Sequence, residues 1–204
     1  MRYLRNSGAI VALLGGCALA APNFAAAQGA RQTASQTKAS LFSYDYIQLS
    51  YVDLDYGFDG FKFDGSFDLN PDLALTASYM TTDNNGVVDY DVFALGVAYH
   101  QRLVDIPKSD IVLHGEFVSA SYDYSGFFIR DNDDDGLRFG AMLRYQAQQN
   151  LEFFGDLSYL STYDNDLVLT AGVNLALNQQ FSLVAGVEMS DNDMLLLGIR
   201  MGLK

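Results

Sequence analysis

Long runs of this chain alternate a large apolar residue with a small one, and that period of two leaves few folds open. In one run Phe93, Leu95, Val97 and Tyr99 are interleaved with Ala94, Gly96 and Ala98. In another Leu167, Leu169, Ala171, Val173, Leu175 and Leu177 are interleaved with Thr170, Gly172, Asn174 and Ala176. Phe181 to Ser190 repeats the arrangement. Side chains of an extended strand point alternately to opposite faces, so each run makes one large apolar face and one small polar face. Helical spacing is almost absent after Tyr44.

The runs recur as a pattern. Phe93-x-x-Gly96-Val97-x-Tyr99, Leu169-x-x-Gly172-Val173-x-Leu175 and Leu195-x-x-Gly198-Ile199-x-Met201 are copies of one segment. They alternate with segments that follow a turn and run into Asp, so the repeating unit is a hairpin. The spacing predicts ten strands, over 44–56, 60–69, 73–82, 88–101, 110–124, 136–147, 151–163, 166–177, 181–190 and 194–203, with eight as the alternative. A change of face is expected near Val52, at a bulge.

The small faces are poor in Lys, Glu and Gln and rich in Gly, Ala, Ser, Thr and Asn, which is not the surface of a soluble sandwich. Many strands also exceed the usual length of about 5–6 residues and match the 9–11 that a tilted strand needs to cross a bilayer. Hydrocarbon against the large face and a lumen against the small one satisfies both faces. Closure removes the sheet edges that lipid cannot satisfy. The expected fold class is therefore all-β, a closed antiparallel transmembrane barrel.

Residues 1–27 hold Arg2, Arg5, no acid and an apolar stretch before Ala25-Ala26-Ala27, the pattern of a cleaved signal peptide. Leu14-Gly15-Gly16-Cys17 offers a rival reading in which Cys17 is lipidated. Residues 28–42 read as a flexible tail and 43–204 as the barrel. Cys17 is the one cysteine, so no intrachain disulfide forms. Asp and Glu number 25 against 12 Lys and Arg, and the net charge of −13 argues against nucleic acid. No cofactor is expected.

Turns divide into two chemistries. Those on the side of the tail carry few charges, as in Asn70-Pro71-Asp72, Gln148-Gln149-Asn150 and Asn178-Gln179-Gln180. The opposite set is acidic, including Asp164-Asn165-Asp166, Asp191-Asn192-Asp193 and the longest loop, 125–135. Tyr99, Tyr145, Phe153 and Phe181 lie near one set and Tyr56, Tyr79, Phe139 and Tyr159 near the other. That placement fits two interfacial belts of aromatic rings.

Even-numbered positions place Lys62, Asp64, Asp68, His114, Glu116, Arg138, Arg144, Glu152, Asp156, Glu188 and Arg200 in the lumen. A three-residue turn at 147–149 sets Arg144 directly across from Glu152. Glu116 is expected at the same depth, giving a Glu116–Arg144–Glu152 cluster near the inner end. Asp131, Asp133 and Asp135 before Gly136 match the first half of a calcium loop, but Met142 stands where the closing Glu belongs. Phe127, Phe128 and Ile129 form an apolar contact patch in the longest loop. His114-Gly115-Glu116 puts an imidazole and a carboxylate on one face, where an acid/base pair is conceivable. No Ser-His-Asp or Cys-His arrangement is visible among the outer turns.

The signal peptide, the ten alternating segments and hairpins such as Arg144-Tyr145-Gln146-Ala147-Gln148-Gln149-Asn150-Leu151-Glu152 resemble small bacterial outer-membrane β-barrel proteins of the porin-like and OmpA/OmpX-like superfamily. The resemblance spans about 42–203. It implies a monomeric envelope protein, surrounded by outer-membrane lipid and lipopolysaccharide, with divalent cations able to bridge its acidic loops. The role expected is non-enzymatic, with an ion-paired, mostly occluded lumen. Three other roles stay open: a narrow, weakly cation-selective pore, a surface adhesion or binding module, and a soluble periplasmic carrier barrel with its odd-numbered residues turned inward.

Overall fold

The structure is a computed structural model and describes residues 40–84, 86, 88–124, 132–162 and 165–203. Ten strands follow one another: β1 (Tyr46–Leu54), β2 (Phe58–Asn70), β3 (Leu73–Asn84), β4 (Val88–Arg102), β5 (Ser109–Tyr124), β6 (Asn132–Gln148), β7 (Leu151–Leu160), β8 (Asp166–Ala176), β9 (Phe181–Met189) and β10 (Met194–Gly202). Each pairs antiparallel with its sequence neighbours. β1 pairs with β10 from Tyr46↔Gly202 to Leu54↔Met194, and this seam closes the barrel. An even number of strands leaves both ends of the barrel on one side, called the inner end below.

Odd-numbered side chains face out. Leu49, Phe61, Phe93, Leu95, Val97, Leu157, Leu169, Leu197 and Ile199 are all exposed on the outer surface. That parity removes the soluble-carrier reading, which needs these residues inside. Tyrosine hydroxyls on the outer face turn toward polar groups: Tyr79 donates to Asp91 (3.0 Å) and Tyr99 to Gln101 (2.9 Å). Rings with an apolar body and a wet tip are suited to a bilayer interface.

Glycine explains one position of the hairpin repeat. Gly172 faces inward opposite Phe154, whose ring lies over it, and a Cβ there would strike both that ring and the Ala185 carbonyl. At the outer end, Tyr56 (φ 65°) and Gly57 (φ 77°) form the short 3₁₀ turn Asp55–Gly57 between β1 and β2.

The strands differ from the sequence reading in three further respects. No bulge or change of face occurs in β1, whose register is continuous on both sides. Val52 and Leu54 keep the even parity and are apolar because they pack inside against Met80 and Met194. Irregularities fall instead between Asp68 and Asn70 and between Gln146 and Gln148, beside inner turns. Lastly, β6 begins at Asn132, so part of the expected long loop is strand.

The orientation gives a direct test. Leu197 is 61 % exposed and sits mid-strand between Tyr51 and Ala185. Leu197→Arg is expected to cost about 2–4 kcal/mol in denaturant unfolding from lipid vesicles, as for a lipid-facing cation near the midplane. On a water-facing surface the same change stays within about 0.5 kcal/mol.

Candidate functional site

The lumen is built from even-numbered residues and is zoned by depth. At the inner end the chain before β1 turns into the barrel. Asp110, fully buried at the start of β5, accepts hydrogen bonds from Ser40 Oγ, from the Leu41 backbone N–H (3.1 Å) and from the Tyr44 hydroxyl (3.4 Å). Tyr44 stacks on His100 with centroids 3.7 Å apart and planes 12° from parallel. The Arg144 guanidinium lies over the rings of Phe42 (4.4 Å) and Tyr44 (4.7 Å). Asp45 accepts from the Asp68 backbone N–H (2.6 Å), and its carbonyl accepts from Leu203 N–H (3.1 Å). Residues 40–42, expected in a flexible tail, are thus held by β5 and β6. Aromatic rings and a paired carboxylate give them more to bind than a tail of small polar residues would have.

Arg144 and Glu152 are buried and joined by two hydrogen bonds, from Nε at 2.5 Å and from Nη2 at 2.9 Å. Asn174 donates to the same carboxylate (3.2 Å). This is the strong, planar form of an ion pair. The pairing is diagonal and not face to face. Arg144 stands opposite Phe154, and Glu152 opposite Gln146, because the turn lies at Gln149–Asn150 and not at 147–149, with β6 running on to Gln148.

Glu116 does not join that cluster. β5 starts at Ser109, which places Asp110 opposite Arg144 and carries Glu116 up to Arg138, six residues further along. At about 3.4 Å per residue that is a separation of about 20 Å along the strand. Glu116 accepts from Thr76 Oγ1 (3.1 Å). His114 pairs with Asp156 (2.8 Å) and not with Glu116, so the acid/base pair conceived from His114-Gly115-Glu116 is not formed. Arg138 contacts Glu188 (3.3 Å), Asp156 (4.0 Å) and Ser158 (3.0 Å). Lys62 pairs with Asp64 (3.4 Å), and Arg200 bonds Gln48 (2.9 Å) while covering Tyr46.

Asp133 and Asp135 lie in β6, opposite Ser121 and Ser119, and are exposed, so they do not curl into a calcium loop. Asp131 and the patch Phe127, Phe128 and Ile129 lie outside the described residues. Among the described residues no three His, Cys, Asp or Glu side chains converge as metal ligands.

The sequence reading did not count Asp110 or His100 among the lumen residues and left residues up to 42 in the tail. Parity was the available signal for the first two, since both are even-numbered. His100 is 2 % exposed, with Nε2 at 3.3 Å from Asp68, within ion-pair reach but not aligned as a hydrogen bond.

A closed antiparallel barrel with an apolar exterior and a charged, hydrogen-bonded interior has the architecture of the outer-membrane β-barrels. The chain is similar to several solved structures. A NanC porin matches with a TM-score of 0.50 and 8 % identity, over 77 % of this chain and 100 % of that one. A KdgM porin matches at 0.48 and 8 %, over 78 % and 99 %. The N-terminal barrel domain of Pseudomonas aeruginosa OprF matches at 0.42 and 14 %, over 77 % and 96 %. No family model and no curated protein matches the chain.

Two outcomes test this geometry. Arg144→Ala strands a buried carboxylate and is expected to cost about 3–5 kcal/mol in unfolding, with the Arg144→Ala, Glu152→Ala pair costing less than the single change. Burial also pushes the Tyr44 phenol up to about 12 from an ordinary value near 10. Below pH 10 both the docked and the released ring keep their proton. Between pH 10 and 12 only the released ring loses it, so docking weakens as pH rises through that window. Ultraviolet titration should show one late tyrosine that Tyr44→Phe removes.

Proposed function

We propose that this chain is a non-enzymatic β-barrel of the bacterial outer membrane whose lumen is closed at its inner end by residues 40–46 and braced by ion pairs. A cleaved signal over 1–27 delivers it across the inner membrane. Outer-membrane lipid and lipopolysaccharide surround the barrel, which works as a monomer with acidic turns facing outward.

The observation that carries this reading is the seating of Ser40, Leu41 and Tyr44 on the buried Asp110, with Arg144 spread over the same rings. A cavity of about 560 Å³ runs from the outer turns at Asp191 and Asn192 down to Tyr44 and Tyr46, and no inner-turn residue lines it. Strand number supports the reading too: eight strands are just filled by side chains, whereas sixteen leave an aqueous channel.

The second reading, a narrow pore tilted toward cations, is favoured by the acid excess on the lumen wall, seven carboxylates against four Lys and Arg side chains. Planar-bilayer recording separates the two. The wild-type barrel is expected to give no steady current, and Arg144→Ala to give single-channel current well above background. Steady wild-type conductance would establish the pore and reject the closed lumen.

A further inference from the structure

We propose that the outer half of the lumen is a binding site for an amphiphilic monocation, a primary alkyl- or arylalkylammonium. The ammonium rests at Glu116 and the apolar body fills the collar above it. The proposal does not depend on whether the barrel conducts.

The cavity volume of about 560 Å³ falls in the range of small-molecule sites, about 300–1,000 Å³. Its wall has two chemistries at two depths. Toward the outer end Leu54, Met80, Met194, Tyr90, Val92 and Leu196 line it, packed with the buried Val52 and with Phe58 behind them. Tyr90 and Tyr122 stack at 4.3 Å, and Phe58 meets both edge-on. Apolar side chains on the inner face of a barrel have no lipid to meet, and a wet lumen gives no reason for a cluster of them. They suit a guest with a hydrocarbon or aromatic body.

Deeper down the wall turns ionic and is short of cations. Arg144 is committed to Glu152, Arg138 to Glu188 and Lys62 to Asp64. Glu116 bonds the Thr76 hydroxyl, and Arg138, opposite it on the β5–β6 ladder, directs its guanidinium to Glu188, Asp156 and Ser158, leaving Glu116 with no ion pair within 4 Å among the described residues. It faces Gly96 across the β4–β5 ladder, and a Cβ on Gly96 would strike its side chain. The glycine therefore leaves Glu116 room to lie along the wall. A carboxylate whose facing arginine is held by other acceptors, beneath an apolar collar, is complementary to one positive charge carried on an apolar body. Asp166 and Asp191 on the outer part of the same cavity draw cations toward it.

Methionine methyls provide the readout. Met80 and Met194 face the collar, while Met189 and Met201 have the outward parity and report probe dissolved in the bilayer. The barrel, carrying ¹³C-labelled methionine methyls in lipid nanodiscs, is titrated with n-hexylammonium and with the neutral n-hexanol. Saturable shifts at Met80 and Met194 are expected, against a linear drift at Met189 and Met201. Hexanol should bind about tenfold more weakly, and Glu116→Gln, which keeps an acceptor for Thr76, should weaken hexylammonium about tenfold. Ala94→Phe, which fills the collar, should abolish saturation and serves if the Gln variant fails to assemble. Equal affinity for hexanol, or no effect of Glu116→Gln, reduces the site to a plain apolar void and overturns the proposal. Shifts confined to Met189 and Met201, or the same saturation with sodium alone, overturn it as well.

Discussion

Hydrocarbon offers a peptide group nothing to bond with, and that single constraint organises the barrel. A lone sheet would present two unpaired edges, each unsatisfied group costing several kcal/mol in lipid. The β1–β10 seam removes both edges. Once closed, the ladder gives every strand residue one of two destinations, and parity assigns it. Large apolar side chains at odd positions go to the outside, where no water competes. Everything polar at even positions shares a narrow interior, which is why so many of those residues are Ser, Thr, Gly or Ala.

Charges brought into that interior cannot be left to solvent, and the lumen deals with them by pairing across strands. Arg144 with Glu152 links β6 to β7, Arg138 with Glu188 reaches from β6 to β9, and His114 with Asp156 joins β5 to β7. Pairs between strands that are not ladder neighbours reach over the strands between them, so they tie that part of the wall together as well as neutralising it. Such pairs add little to stability over an apolar filling, because desolvation offsets most of the attraction. Their effect is to fix which side chains meet. The register of a two-faced strand is already set by its apolar side, and the inner pairs add a second, independent check on it.

Parity was legible in the sequence, and with it the fold, the ten strands and the lumen membership of Lys62, Arg138, Arg144, Glu152, Asp156 and Glu188. Depth was not. The expected strand, 110–124, is nearly the observed one, but its register against β6 is not written in either strand: Asp110 stands opposite Arg144, and Glu116 lies six residues further along, opposite Arg138. The Arg144–Glu152 contact came through an error in register, since a long guanidinium reaches a diagonal neighbour as readily as a direct one. Val52 and Leu54 looked like a change of face because apolar residues on a lumen wall have no place in a simple two-faced pattern. Their partners Met80 and Met194 come from strands far off in sequence, and alternation within one strand carries no trace of them.

The N-terminal segment was illegible for a related reason, and the barrel's size explains why it is there. A ten-strand bore is wider than the eight-strand bore that side chains fill unaided. At the inner end the wall is lined by small or medium residues, Ala74, Ala98 and Val112, which cannot meet across the gap. Phe42 and Tyr44 supply the missing volume, and Asp110, His100 and Arg144 supply the polar contacts that hold them there. Small residues on one strand face and aromatic ones before β1 are thus two halves of one packing solution. Farther out no such segment enters among the described residues, and the same surplus of bore is left as the cavity beneath the outer turns.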